Sequence, residues 1–292
     1  MGQVHKATTF DGEKLAIKLQ YPSIDKTIKS DIKLLKKLSF SKNILRIIKE
    51  VEERLYEEID YENELKNNIE AFDSFKKLDV IVPKVYKKFS TKHILATSFI
   101  EGDDLYSWLM KNPSKKQKTK IANQMFSLFT HSIFKHKKIQ ADPNPANFII
   151  TKDNRLAMID FGCMKEFDDE FIKTYKSIFH TYLCEDKEKI LTTYKEIGFI
   201  KDRKLISDEM FEKKILPFNR WAIEPFLHQK YIFTKEYLDE GVKYAGVWTK
   251  KEFVVLRDFV FLDRTIHGLF SLFEKMDAEI DMRVFREYVG FN

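Results

Sequence analysis

From Leu15 to Tyr21 the chain alternates: Leu15, Ile17, Leu19 and Tyr21 fall on one face of an extended segment, Ala16, Lys18 and Gln20 on the other. A period of two predicts a half-buried strand. Asp11-Gly12 suits a tight turn, so TTFDGEKLAIKLQY predicts a hairpin that Pro22 ends. Residues 24–39 and about 43–72 carry apolar positions at helical spacing among many charges. VPKVYKKF (82–89) and HILATSFIEG (93–102) predict two more strands. After them come a short helix at 104–112 and a longer one from about Ser114 to Lys137. FIIT and LAMI, around the turn KDN, predict a second hairpin with Asp160-Phe161-Gly162 directly after it, and from about Asp168 the pattern is helical. Strands first and helices second predict an α+β chain of two lobes, 1–101 with a small sheet and 102–292 mostly helical.

Composition narrows this picture. The 292 residues are 43% hydrophobic and 33% charged, as in a globular chain with real cores. Nine glycines and seven prolines favour long helices over a turn-rich β fold. Two cysteines, Cys163 and Cys184, make neither a disulfide framework nor a zinc site, which fits a reducing compartment. MGQVHKATTF lacks the apolar core of a signal peptide, and no apolar run nears the roughly 18 residues of a membrane span. The net charge of +6 comes with lysine clusters such as KNPSKKQKTK and KHKK, which read as solvated helix faces. A weak pull toward anionic membrane surfaces is the alternative. Aromatics are not interleaved with these clusters, so nucleic acid is not expected as a partner.

Four features carry candidate chemistry. Lys18 on its strand is, alone, a solvent-facing lysine, but Ala16 beside it leaves room for something flat. Asp60 and Glu64, four apart on one helix, would share a face and repel unless a cation such as Lys18 lies near them. In ADPNPANF, the prolines at 143 and 145 enforce an extended loop that carries Asp142 and Asn147. Its side chains either cap their own turn or act: an aspartate can orient a hydroxyl and take its proton, and an asparagine carbonyl can ligate a hard cation. Asp160 ends an apolar strand and is a second candidate magnesium ligand. In this order the four suit phosphoryl transfer, which needs a cation on the phosphates, a group positioning it, metal ligands and a residue aligning the nucleophile.

The sequence resembles the UbiB/aarF (ADCK-type) atypical kinases. GQVHKATTFDGEKLAIKLQYP is similar to that family's opening hairpin and lysine strand, EEIDYENE to its acidic motif and helix glutamate, and ADPNPANF and MIDFG to its catalytic and metal loops. FLDRTIHGLFSLFEKMDAEIDM is similar to its C-terminal helices. The resemblance implies a protein-kinase-like bilobal fold binding ATP or ADP with Mg2+. It implies Lys18 on the phosphates, Glu64 paired with Lys18, Asp142 as the catalytic aspartate, and Asn147 and Asp160 on the metal. Glu58 and Asp60 become a family-specific acidic pair, and Ser98, Phe99 and Ile100 a hinge for adenine. It further implies a role in making ubiquinone or another isoprenoid quinone, on a small-molecule or lipid-like substrate such as a quinone precursor. Quinone-synthesis enzymes would be its partners, and its location cytoplasmic with peripheral contact at the inner membrane. The family's Ala-rich phosphate loop and Lys-x-Gly-Gln motif would precede Gly2, so the chain reads as a fragment or a short member. The alternative function is a nucleotide-binding pseudokinase scaffold or lipid-binding regulator; an antibiotic kinase is a third reading that EEIDYENE opposes.

Overall fold

The computed structural model describes residues 2–38, 41–140, 144–245 and 251–291. Strands β1 (Gly2–Thr8) and β2 (Lys14–Gln20) form the first hairpin, with Gly12 at φ +86° in its turn. Helices α1 (Ile24–Leu38), α2 (Lys42–Glu58) and α3 (Tyr61–Ser74) follow, then β3 (Val80–Ile81), β4 (Ile94–Ser98) and β5 (Gly102–Asp104). Next come α4 (Leu105–Met110), α5 (Lys115–His131), β6 (Lys138–Gln140), β7 (Phe148–Thr151), β8 (Leu156–Met158) and β9 (Met164–Glu166). The remainder comprises α6 (Asp169–Tyr182), α7 (Lys187–Ile197), the single turn α8 (Asp208–Met210), α9 (Leu216–Ile223), β10 (Lys230–Ile232), α10 (Lys235–Ala245), α11 (Arg257–Met276), β11 (Glu279–Asp281) and α12 (Arg283–Val289).

Two compact units result, residues 1–108 with 144–165, and residues 109–143 with 166–292. In the first, an antiparallel sheet runs β1-β2-β4 and a four-stranded sheet runs β3-β8-β7-β5. Leu15 of β2 turns into the core, and Lys18 lies opposite Leu95 of β4. Helices α1 and α2 pack through Ile28, Ile32 and Ile48, with Leu55 and Ile59 against them. In the second unit the core is largely aromatic. Phe285, fully buried, contacts Phe134, Phe179 and Phe226 at ring separations of 5.3, 4.9 and 4.4 Å. Such pairs add to burial through edge-to-face attraction. Ser114 and Gln117 form a capping box that starts α5. No helix among the described residues is long and apolar enough to cross a membrane.

Two expectations need correction. The helix read over about 43–72 is two helices, broken at Ile59 and Asp60. Asp60 is the N-cap of α3, its carboxylate accepting from the Asn63 amide at 3.0 Å, so it does not share a helical face with Glu64. A carboxylate there satisfies an amide that has no partner within the helix, and this competes with continuing α2. The strand read over 82–89 is absent as well: Pro83 removes a donor, Val85 makes one isolated bridge to Thr97, and Lys87–Phe89 turn as a 3-10 helix. Asp60→Ala is expected to cost about 1 kcal/mol, the usual worth of an N-cap. Chemical denaturation checks it, and an unchanged midpoint would mean that water serves the Asn63 amide equally well.

Candidate nucleotide site

The first unit brings three of the sequence candidates into contact. Lys18 Nζ donates to Glu64 Oε2 and Oε1 at 2.8 and 3.1 Å and to Asp160 Oδ2 at 3.4 Å. Glu64 is only 2% exposed, and the Lys18 ammonium also lies 5.2 Å from the Tyr61 ring centre, a cation–π contact. Burial alone would pull the Lys18 pKa down, but the Glu64 and Asp160 charges outweigh it and hold the group above the ordinary lysine value. Burial pushes the Glu64 carboxyl up from its ordinary range, and Lys18 pulls the other way. An ion pair so enclosed is held by geometry, and losing one partner strands the other.

Helix α3 supplies more than the glutamate. Asn67, one turn on, is buried and donates from Nδ2 to the Phe161 carbonyl at 3.1 Å. Phe161 is itself fully buried, so the turn after β8 is pinned on both sides. Within that turn Asp160 Oδ1 accepts from the Gly162 amide at 3.0 Å. One helix face thus sets both the lysine and the Asp160 turn. Arg54 of α2 adds a second tether, donating to Cys163 Sγ at 3.0 Å and to Glu57 at 2.7 Å. Neither Asn67 nor Arg54 figures among the residues singled out from the sequence. The signal for Asn67 was its place three residues after Glu64, on one helix face.

Asn147 ends a 3-10 turn just before β7, and its carbonyl accepts from the Ile159 amide at 3.0 Å. Asn147 and Asp160 therefore flank the open end of one hairpin, where Phe148 faces Met158. Among the described residues no group of three His, Cys, Asp or Glu side chains could hold a metal ion unaided. One carboxylate and one carboxamide fit magnesium, which takes few protein ligands and fills its shell with substrate phosphates and water. Asp142 lies outside the described residues, as does the rest of 141–143. Asn144 beside it caps its own turn, accepting from the Ala146 amide at 3.0 Å.

The remaining candidates are apart from this contact. Ala16 is on β2 opposite Thr97 of β4. The amides of Ser98 and Phe99 already donate to the Lys84 and Lys14 carbonyls at 2.8 and 3.0 Å. That leaves Ile100 as the hinge position whose amide has no backbone acceptor among the described residues. Glu58, the last residue of α2, and Asp60 are both exposed, and the Glu58 charge helps raise the Tyr61 hydroxyl pKa, after burial and alongside Glu64.

The family model described as the ABC1 atypical kinase-like domain matches residues 1–194, more than half of the chain. The chain belongs to the ABC1 atypical kinase-like family. Among its ABC1 relatives, the probable serine/threonine-protein kinase abkA of Dictyostelium discoideum is 30% identical over 219 residues, covering 68% of this chain and 39% of that protein. The mitochondrial atypical kinase coq-8 of Caenorhabditis elegans is 32% identical over 217 residues, 68% of this chain and 28% of its own length. The chain spans less than half the length of these curated ABC1 relatives. The ABC1 fold is shared with a solved structure titled as the complex of Rv3197 with erythromycin from Mycobacterium tuberculosis. That match has a TM-score of 0.76 at 22% identity and covers 99% of this chain and 75% of the other.

Proposed function

We propose that the chain binds an adenine nucleotide with magnesium and acts as an atypical kinase or ATPase supporting isoprenoid-quinone synthesis. The observation that carries the nucleotide reading is the Lys18–Glu64–Asp160 contact at the end of a hairpin whose other strand begins beside Asn147. Lys18 would take the phosphates, held by Glu64, and Asp160 with Asn147 would take the metal. Magnesium, when bound, neutralises phosphate charge. Asp142, from its place in ADPNPANF, would align the acceptor hydroxyl and receive its proton. The kinase names of the relatives support transfer chemistry. The quinone role rests on the family resemblance, with a small or lipid-like acceptor, quinone-synthesis enzymes as partners, and peripheral contact with a membrane.

With so few protein ligands, the metal should arrive with the nucleotide. ATP plus magnesium is therefore expected to raise the melting temperature well beyond ATP in EDTA. At a hundredfold excess over Kd the linkage is about 2.7 kcal/mol, or several degrees at about 2–4 °C per kcal/mol. Equal shifts in EDTA and in magnesium would remove Asn147 and Asp160 as metal ligands. No shift in either would remove the nucleotide reading and favour the lipid-binding regulator.

A further inference from the structure

The second unit contains a half-open cavity of about 300 Å³ lined by residues between Tyr175 and Phe270, most of them beyond the segment that the family model matches. An engineered apolar cavity of about 150 Å³ admits benzene, so this one has room for a ring and a short chain. Its walls are aromatic. Trp221 lies 5.1 Å from Tyr237 and 5.8 Å from Phe218, ring centre to ring centre. Gly241 permits this, because a Cβ there would stand 2.3 Å from the Trp221 ring.

Into this space α11 directs two polar side chains one turn apart, Asp263 and His267. Both side chains are solvent-accessible through the cavity, with the aromatic walls around them. Among the described residues Asp263 has no hydrogen-bond or ion-pair partner. Among the described residues, the other titratable groups lining the cavity are Tyr175 and Tyr182 of α6, Tyr237 of α10 and His267 itself, with no lysine or arginine. His267 stacks on Trp221 at 5.8 Å, and burial pulls its pKa down, so it supplies no counter-charge. Burial pushes the Asp263 carboxyl up to about 7.

We infer that this cavity is a binding site for a small lipophilic amine, with the ammonium against Asp263 and the apolar body among Trp221, Tyr237 and Phe218. A cation answers two features at once. It pairs with a carboxylate that has no partner among the described residues, and it is attracted by the ring faces around it. A neutral hydroxyl answers only the first, with one hydrogen bond. The site shares no residue with the proposed nucleotide site and stands or falls separately from it.

Calorimetry on the full chain with 4-phenylbutylamine and its neutral analogue 4-phenylbutanol tests the inference. At pH 8 Asp263 is mostly ionised, and the amine is expected to bind at least about tenfold tighter than the alcohol, a charge-assisted bond exceeding a neutral one by about that much. Below pH 6 the carboxyl is protonated and the preference should shrink to about threefold or less. Asp263→Asn should abolish the preference at pH 8 while leaving alcohol binding unchanged, and Ala222→Leu, which fills the cavity, should weaken both. Equal affinities at pH 8, a preference that survives in Asp263→Asn, or binding indifferent to Ala222→Leu would each overturn the site. So would no binding of either probe.

Discussion

Lys18→Met is expected to destabilise the chain by about 3 kcal/mol at pH 8 and to weaken nucleotide binding about tenfold or more. The stability loss arises less from the absent lysine than from the group left behind. The Glu64 side chain is 3% exposed and that of Lys18 24%, so the carboxylate cannot recover its water, and its repulsion from Asp160 is no longer offset. Losing one partner of a fully buried pair costs about 3–5 kcal/mol, and the partial exposure of Lys18 puts this case at the lower end. The pH dependence follows from burial. The Glu64 carboxyl is already raised in the folded protein, and without Lys18 nothing opposes that shift. A group whose folded pKa is raised costs stability in its charged form, so the penalty is full above the folded value and fades as pH falls toward the ordinary 4.5. Denaturation at pH 8 and pH 5 checks the sign. Glu64→Gln placed in the Lys18→Met background should restore at least half of the loss. A penalty that is the same at both pH values, with no rescue, would show that the cost is lost packing of the lysine stem.

Asp142→Asn and Asp160→Asn are expected to part chemistry from binding. A positioned general base contributes about 10²–10⁴-fold, so Asp142→Asn should lower turnover by that factor and leave nucleotide affinity within a few-fold. Asp160→Asn should weaken magnesium-nucleotide binding itself, because it removes the carboxylate proposed to hold the metal. It also removes one of the two charges on Lys18. Calorimetric affinity and single-turnover rate, measured on both variants, distinguish the two. Full ATPase activity in Asp142→Asn would defeat the base assignment and bring the scaffold reading forward.

Much of this architecture was legible because its signals are local. The alternation around Lys18, the Asp11-Gly12 turn and the hairpin at 148–158 follow from periodicity and turn chemistry, and they recur as β1–β2 and β7–β8. The paired strands β10 and β11 were missed, since three-residue strands leave no periodicity to read. Helix α3 misleads for a physical reason. Its aliphatic positions Leu65 and Ile69 are half-buried and Phe72 is exposed, while Glu64, Asn67 and Asn68 are buried. Reading apolar as inward therefore puts the wrong face inside. Of the site, the Lys18–Glu64 partnership could be anticipated from charge and order, whereas the Asn67 tether depends on a tertiary contact 94 residues away.

The inverted face of α3 has a consequence for how firmly the helix is seated. Turning it by about 100°, one residue, would bring Glu62, Leu65, Ile69 and Phe72 to where Tyr61, Glu64, Asn68 and Ala71 now lie. Three of those four are large apolar residues, so apolar burial alone does not select the present face, which the Lys18 and Phe161 contacts hold. Because one helix face carries both contacts, disturbing the seating of α3 would loosen the lysine's partner and the Asp160 turn's tether together.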